Sequence, residues 1–196
     1  MSNLIVIDGF LGAGKTLGMS YLAHHYQSKS NCTLYSNYGL ANAKPIKNLV
    51  DFIDVAKQES SIVCLDESHL DLSSRDFNSN SVKFFTNLIF YLRKMRCTLI
   101  MTTPMFSNLD SRVRDITNVY ISVRKDKHFF YYDFYDVERE QFLKRKRIRY
   151  DLITQIGSHL YDTYSIVTPL EYPSKKEEFN EFLKELKQVN GAFKLR

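Results

Sequence analysis

The stretch GFLGAGKT, Gly9–Thr16, fits the pattern G-x-x-x-x-G-K-[ST], and it stands directly after the apolar run Leu4–Ile7 and directly before a helical pattern. Few windows of this length constrain a fold as tightly. A buried strand must deliver the chain into a loop whose backbone N–H groups converge on an anion. A helix must then begin at once, so that its N-terminus adds partial positive charge. Gly9, Gly12, Ala13, Gly14, Lys15, Thr16 and Leu17 are the expected phosphate-binding residues. In that role Lys15 reaches the β- and γ-phosphates of ATP, and Thr16 gives its hydroxyl to Mg²⁺.

The rest of the chain fits around such a loop. Apolar runs rich in β-branched residues recur at Leu4–Ile7, Thr33–Tyr35, Ile62–Leu65, Thr98–Thr102 and Val119–Val123. Between them, Thr16–Gln27 carries a helical pattern, and Ser81–Met95 a stronger one through Val82, Phe85, Leu88, Ile89 and Leu92. Alternation of strand and helix to about residue 120 predicts an α/β fold: a mainly parallel sheet flanked by helices, with strands such as LIVID buried on both faces. Past that point, NVYISVRKDKHFFYYDFYDV reads as a β-hairpin on the sheet edge with its turn at Lys125-Asp126-Lys127. The last stretch reads as a C-terminal amphipathic helix, capped by Ser174 and Glu177 and stopped at Gly191. A chain of 196 residues with no repeat and no Pro/Gly-rich linker suits a single domain, with a core to about residue 136 and an extension over about 137–196.

A second apolar run, IVCL, ends in two adjacent carboxylates, Asp66 and Glu67. Beside a phosphate loop the first carboxylate at such a strand end holds the metal, so Asp66 is the expected partner of Thr16 on Mg²⁺. Glu67, one residue on, points to the γ-phosphate side, where a carboxylate can orient and deprotonate an attacking water. A water activator separates hydrolytic ATPases from small-molecule kinases. TLYSN and a further helical stretch lie between the loop helix and the acidic strand, as in P-loop ATPases with an inserted strand and a catalytic glutamate. The strand TLIMTT ends in the sensor candidate Thr103, with Thr102 as the next choice.

Composition narrows the partners. The net charge is +5, with basic groups at Arg124, Lys125 and Lys127 and at Lys144, Arg145, Lys146, Arg147 and Arg149. Such clusters suit DNA through counterion release, and duplex binding through them is expected to weaken steeply with salt. No run approaches the ~20 apolar residues of a spanning helix, and the start has no signal-peptide pattern. Three widely spaced cysteines, Cys32, Cys64 and Cys97, read as reduced residues, and hence as a cytoplasmic protein.

The order of motifs adds a resemblance. GFLGAGKTLGMSYLA, LYSNYGL, LDESH with SSR behind it, FFTNLIFYLRKMRCTLIMTT, LDSRVRD and LYDTYSIV together resemble the Zot-like branch of the FtsK–HerA superfamily of P-loop pumping ATPases, over roughly residues 3 to 168. The resemblance implies a RecA/FtsK-like fold and ATP hydrolysis with Mg²⁺. It also implies a homo-oligomeric ring, a hexamer, that translocates DNA. Filamentous-phage members continue into a membrane span, which this chain lacks through Arg196. That favours packaging of double-stranded viral DNA into a capsid, in the host cytoplasm or at the virion vertex with capsid or portal-vertex proteins as partners, over phage extrusion. A ring of this kind takes an arginine from the adjacent subunit, for which Arg75, Arg93 and Arg96 are the candidates, with Arg112 and Arg114 third. Pro104 departs from the family pattern, in which many relatives carry a glutamine there.

Other readings remain open at the level of sequence. A nucleotide kinase shares the loop and sometimes has an arginine-rich lid such as KRKRIR would make; a slow nucleotide switch, a helicase or a transposition ATPase shares the loop as well. A GTPase would show N-K-x-D, and the chain has none.

Overall fold

A computed structural model describes residues 4–67 and 80–193 of the chain. Eight strands form one sheet: β1 (Leu4–Asp8), β2 (Thr33–Ser36), β3 (Ala43–Pro45), β4 (Ser61–Leu65), β5 (Cys97–Thr103), β6 (Val119–Lys125), β7 (Phe129–Asp136) and β8 (Gln141–Arg149). Their spatial order is β3-β2-β4-β5-β1-β6-β7-β8. Pairing is parallel from β3 through β6 and antiparallel from β6 to β8. The helices are α1 (Lys15–Ser30), α2 (Phe52–Ala56), α3 (Asn80–Leu92), α4 (Ser111–Asp115), α5 (Tyr150–Leu160) and α6 (Lys176–Phe193).

The central strands are apolar at nearly every position because both faces are covered. Leu4, Val6, Val63, Leu65, Leu99 and Met101 point to one side, into a core shared with α2, α3 and α6. Ile5, Ile7, Ile62, Cys64, Ile100 and Ile121 point to the other, against Leu17, Met19 and Leu22 of α1. Cys32, Cys64 and Cys97 are free thiols buried in these layers. Burial pushes the Cys64 thiol far up and that of Cys97 to about 12, so both behave as small apolar side chains.

Three details differ from the sequence expectation. The strand inserted between the phosphate-loop strand β1 and the acidic strand β4 is β5, whereas TLYSN, as β2, lies outside β4. The hairpin β6–β7 continues into a third strand, β8, which forms the edge, so the basic run from Lys144 to Arg149 is itself a strand. The final helix runs through Gly191 to Phe193, and Glu178 rather than Glu177 accepts the Ser174 N–H, at 3.1 Å.

Residues past 136 are built into both layers. β8 pairs with β7, α5 packs on α1, and α6 lies on α2. Leu170, Phe179, Phe182 and Leu186 are among the core residues. Among the described residues no helix is long and apolar enough to cross a membrane.

Candidate nucleotide-hydrolysis site

All the parallel strands point their carboxyl ends to the same edge, where β1 feeds the glycine loop and α1 begins. Gly14 starts the helix at φ 100°, and a Cβ there would stand 2.5 Å from a ring carbon of Phe130. Only glycine fits that backbone in that space. Tyr132 donates from its hydroxyl to Gly14 O at 2.9 Å, so β7 supports the loop from below. Sequence reasoning missed Phe130 and Tyr132 because they lie more than a hundred residues away.

Lys15 Nζ donates to Gly9 O at 2.8 Å and to Phe10 O at 3.2 Å, while Phe10 and Leu11 at the tip of the loop are exposed. Partial burial lowers the Lys15 pKa, and the carboxylates of Asp66, Glu67 and Asp8 oppose that shift. The ammonium is held by loop carbonyls and not by a carboxylate, which leaves its charge for an anionic ligand. The loop glycines, the N-terminus of α1 and this ammonium fit a nucleotide triphosphate.

Asp66 is buried at the end of β4 and accepts from two hydroxyls. Thr16 Oγ1 donates to its Oδ2 at 2.8 Å, and Thr102 Oγ1 donates to its Oδ1. The Thr102 oxygen also accepts the Glu67 N–H at 3.0 Å. Four residues from the ends of three elements and the loop thus form one connected chain. A single carboxylate beside a hydroxyl is a hard-oxygen donor set that fits Mg²⁺, which is held mostly by phosphate oxygens and water. Thr16 and Asp66 would hold it, and the metal would supply charge neutralisation on the phosphates. In keeping with that, no group of three or more His, Cys, Asp or Glu gathers among the described residues.

Glu67 is exposed and sits in the left-handed region, at φ 53°. That conformation costs a non-glycine residue roughly 1–2 kcal/mol, and the Thr102–Glu67 hydrogen bond helps hold it. It turns the chain sharply after Asp66.

Asn37 has a role that its sequence context did not reveal. Its Oδ1 accepts the Asp66 N–H at 2.8 Å; its Nδ2 donates to Asp66 O at 3.2 Å and to Thr168 O at 3.1 Å. The side chain therefore frames the Asp66 backbone on both sides. Tyr38, next to it, has its hydroxyl 2.9 Å from Ser20 Oγ, which donates to Thr16 O at 2.8 Å. Asp8, at the end of β1, accepts from Phe106 N at 3.1 Å and from the Tyr120 hydroxyl at 2.8 Å, fixing the chain that leaves β5.

The other expected residues are placed differently. Thr103 is buried on the opposite face of β5 and donates to Met105 O at 3.2 Å, so Thr102 is the threonine brought to the carboxylates. Arg93 and Arg96 lie where α3 ends and β5 begins, at the far edge of the sheet from the loop. The Arg96 guanidinium donates to Ala56 O at 2.8 Å and Gln58 O at 2.9 Å, tying α3 to the turn before β4. Arg112 forms a two-pronged pair with buried Asp110, at 2.8 and 2.9 Å. Arg75 lies outside the described residues.

The basic residues do not make one track, because strand alternation splits them. Lys144 and Lys146 turn toward the α1 side, where Lys146 Nζ lies 4.6 Å from the Tyr21 ring centre. Arg124, Arg145, Arg147 and Arg149 point to the opposite side. Lys127 is exposed in the turn, and Lys125 Nζ lies 3.7 Å from where a side chain on Gly12 would begin.

No protein-family model matches the chain, and no curated protein matches it in sequence. Solved structures do match in shape. The genome packaging NTPase from Sulfolobus turreted icosahedral virus 2, in complex with ATP-gammaS, aligns with a TM-score of 0.56 at 12% identity, over 74% of this chain and 98% of its own. The DNA-packaging ATPase from Sulfolobus turreted icosahedral virus aligns with a TM-score of 0.56 at 14% identity, over 74% and 98%. The N-terminal domain of zonular occludens toxin from Neisseria meningitidis aligns with a TM-score of 0.55 at 15% identity, over 92% and 98%. At these identities the likeness is one of fold. The chain has the mostly parallel, helix-flanked sheet of P-loop NTPases, as the sequence led one to expect.

Proposed function

We propose that the protein is an ATP-hydrolysing, DNA-translocating motor that works as a homo-oligomeric ring, a hexamer, and packages double-stranded viral DNA into a preformed capsid. The observation that carries the hydrolytic part is the hydrogen-bonded chain Thr16–Asp66–Thr102–Glu67 beside the phosphate loop. It joins the pair Thr16 and Asp66 to the exposed residue Glu67, and a metal-holding pair beside a separate carboxylate is the division of labour that water attack on a γ-phosphate needs. The likeness to two viral packaging ATPases supports the motor reading.

The site acts in a definite order. The glycine loop and Lys15 bind and orient the phosphates. Thr16 and Asp66 would hold Mg²⁺, which would neutralise charge on the phosphates, and Thr102 fixes the Asp66 carboxylate. Glu67 takes a proton from the attacking water. An arginine of a neighbouring copy then balances the charge that develops on the phosphoryl oxygens.

Reading the protein as a Zot-like phage assembly or extrusion ATPase is favoured by one observation, the 92% of this chain that the zonular occludens toxin domain covers. A nucleotide kinase is disfavoured, because KRKRIR is strand β8 of the sheet and not a lid over the loop.

Equilibrium nucleotide binding and steady-state phosphate release test the site. Lys15→Ala is expected to abolish ATP binding. Glu67→Gln is expected to keep ATP bound and to lower turnover by about 10²- to 10⁴-fold. Full turnover by Glu67→Gln would remove the glutamate from the mechanism, and ATP consumption only with a nucleoside acceptor would replace the motor with a kinase.

A further inference from the structure

Among the described residues, helices cover the meander β6–β7–β8 on one face only. On the α1 side, Phe130, Tyr132 and Phe134 are buried, and Tyr150 of α5 stacks on Phe130 at 5.2 Å. On the other face no described helix packs in force on β7 or β8. That open face carries aromatic rings in a row. Phe106 lies 4.8 Å from Tyr120, Tyr120 lies 5.7 Å from Tyr135, and Tyr135 lies 5.6 Å from Phe142 at the sheet edge. A bulge between Phe134 and Tyr135 completes the row. The partner of Phe134 is Lys144 and that of Tyr135 is Phe142, so Leu143 is passed over and Phe142 turns onto the open face.

Guanidinium groups stand over the neighbouring rings. Arg124 lies 4.3 Å from the Tyr131 ring centre, and Arg147 lies 5.2 Å from that of Phe129. Other cations on this face are neutralised locally: Arg145 pairs with Asp133 at 2.8 Å and Arg149 with Asp151 at 2.6 Å. Net attraction for phosphate therefore rests mainly on Arg124 and Arg147, too little to hold a duplex by its backbone alone. Ring faces are of no use to a duplex, whose bases are already stacked. For unpaired bases each ring is a platform, and base–aromatic stacking tolerates any sequence.

We propose that this open face binds single-stranded nucleic acid, with bases stacked on Phe142, Tyr135 and their neighbours and phosphates at Arg124 and Arg147. This rests on the reading of the protein as a nucleic-acid motor but not on the duplex as its cargo; a duplex-packaging motor would present an unpaired strand to this face only where its DNA is opened. The rows of rings and of guanidiniums lie side by side on one surface, so a strand running along it meets both.

Fluorescence anisotropy with labelled oligothymidine, oligouridine and a duplex of equal length tests the proposal, with ATP hydrolysis measured on the same samples. Single strands are expected to bind more tightly than the duplex. Phe142→Ala, at a half-exposed edge position where the fold does not depend on it, is expected to weaken single-strand binding about 5- to 150-fold and to leave the duplex unaffected. Phe142→Tyr is expected to restore binding. With two phosphates engaged, the slope of log affinity against log salt is expected near −1.4, from about −0.7 per phosphate on a single strand. Oligouridine that binds as well as oligothymidine fits a stacking platform. Equal binding of single strands and duplex, unchanged in Phe142→Ala while DNA still stimulates hydrolysis, would overturn the platform and leave the motor standing. If no nucleic acid bound or altered hydrolysis, both readings would fall.

Discussion

Thr102 shows most directly what one side chain does in this site. Its hydroxyl donates to Asp66 and accepts from the Glu67 N–H, so Thr102→Val leaves a buried carboxylate oxygen and a backbone donor unpartnered. The expected cost is about 1–3 kcal/mol in denaturant-measured stability, together with a fall in phosphate release. Thr103→Val removes only a hydrogen bond to Met105 O and is expected to leave hydrolysis close to that of the parent protein. The two threonines are adjacent, and the sequence reading put Thr103 first, whereas the structure brings Thr102 to the carboxylates. Strand β5 is buried on both faces, so Ile100 and Met101 are equally apolar and no alternation marks which face Thr102 shares with α1. The glycine loop was legible because all its chemistry falls in one short window. Asn37 was not, because its partners Asp66 and Thr168 lie 29 and 131 residues away.

Elements were legible in proportion to how cleanly their faces divide. Helix α3 shows in the spacing of Val82, Phe85, Leu88 and Ile89. Strand β8 is hidden, since lysine and arginine occupy both of its faces and leave no apolar register. Helix α6 was read from its stripe, and its burial against α2 follows. Phe179 and Phe182 are each 3% exposed, and Phe179 stacks on Phe84 at 4.2 Å. Phe182→Ala is expected to destabilise the fold by about 3–5 kcal/mol, seen as a lowered denaturation midpoint with an unchanged slope. The turn between β6 and β7 carries the clearest pH effect. Its Asp126 carboxylate is pulled down to about 2 by the Tyr131 hydroxyl and the His128 and Phe129 N–H groups. A depressed carboxyl contributes to stability above its unfolded value near 4 and loses that contribution as pH falls toward 2. Titration of Asp126 followed by NMR checks the turn: a midpoint near 4 would mean that these hydrogen bonds are not formed in solution.

At the scale of the whole molecule, Arg93 and Arg96 lie at the opposite edge of the sheet from the phosphate loop, and Arg96 is engaged with carbonyls of its own chain. The arginine that the proposed ring would supply then depends on how copies are arranged, and mass in solution is the direct check. The expected outcome is a larger species with ATP and DNA than without, and a persistent monomer that still hydrolyses ATP would remove the need for a neighbour. The three cysteines give a separate global readout. With Cys32, Cys64 and Cys97 buried, alkylation is expected to follow unfolding and not to precede it.

The seam along residues 161–171 ties the last third of the chain to Asn37 and so to Asp66, the carboxylate proposed to hold the metal. Asp162 N donates to Gly39 O at 2.8 Å, Thr168 N to Asn37 O at 2.9 Å, and Glu171 N to Lys47 O at 2.8 Å. Between these stitches Tyr164 and Ile166 are 93% and 88% exposed, open to a protease. A single cut there is expected to loosen the Thr168 bonds that hold Asn37 while the sheet stays paired, so nicked protein should keep its circular dichroism and lose turnover. A segment far from the phosphate loop in sequence is then an easily disabled support of the residues beside it.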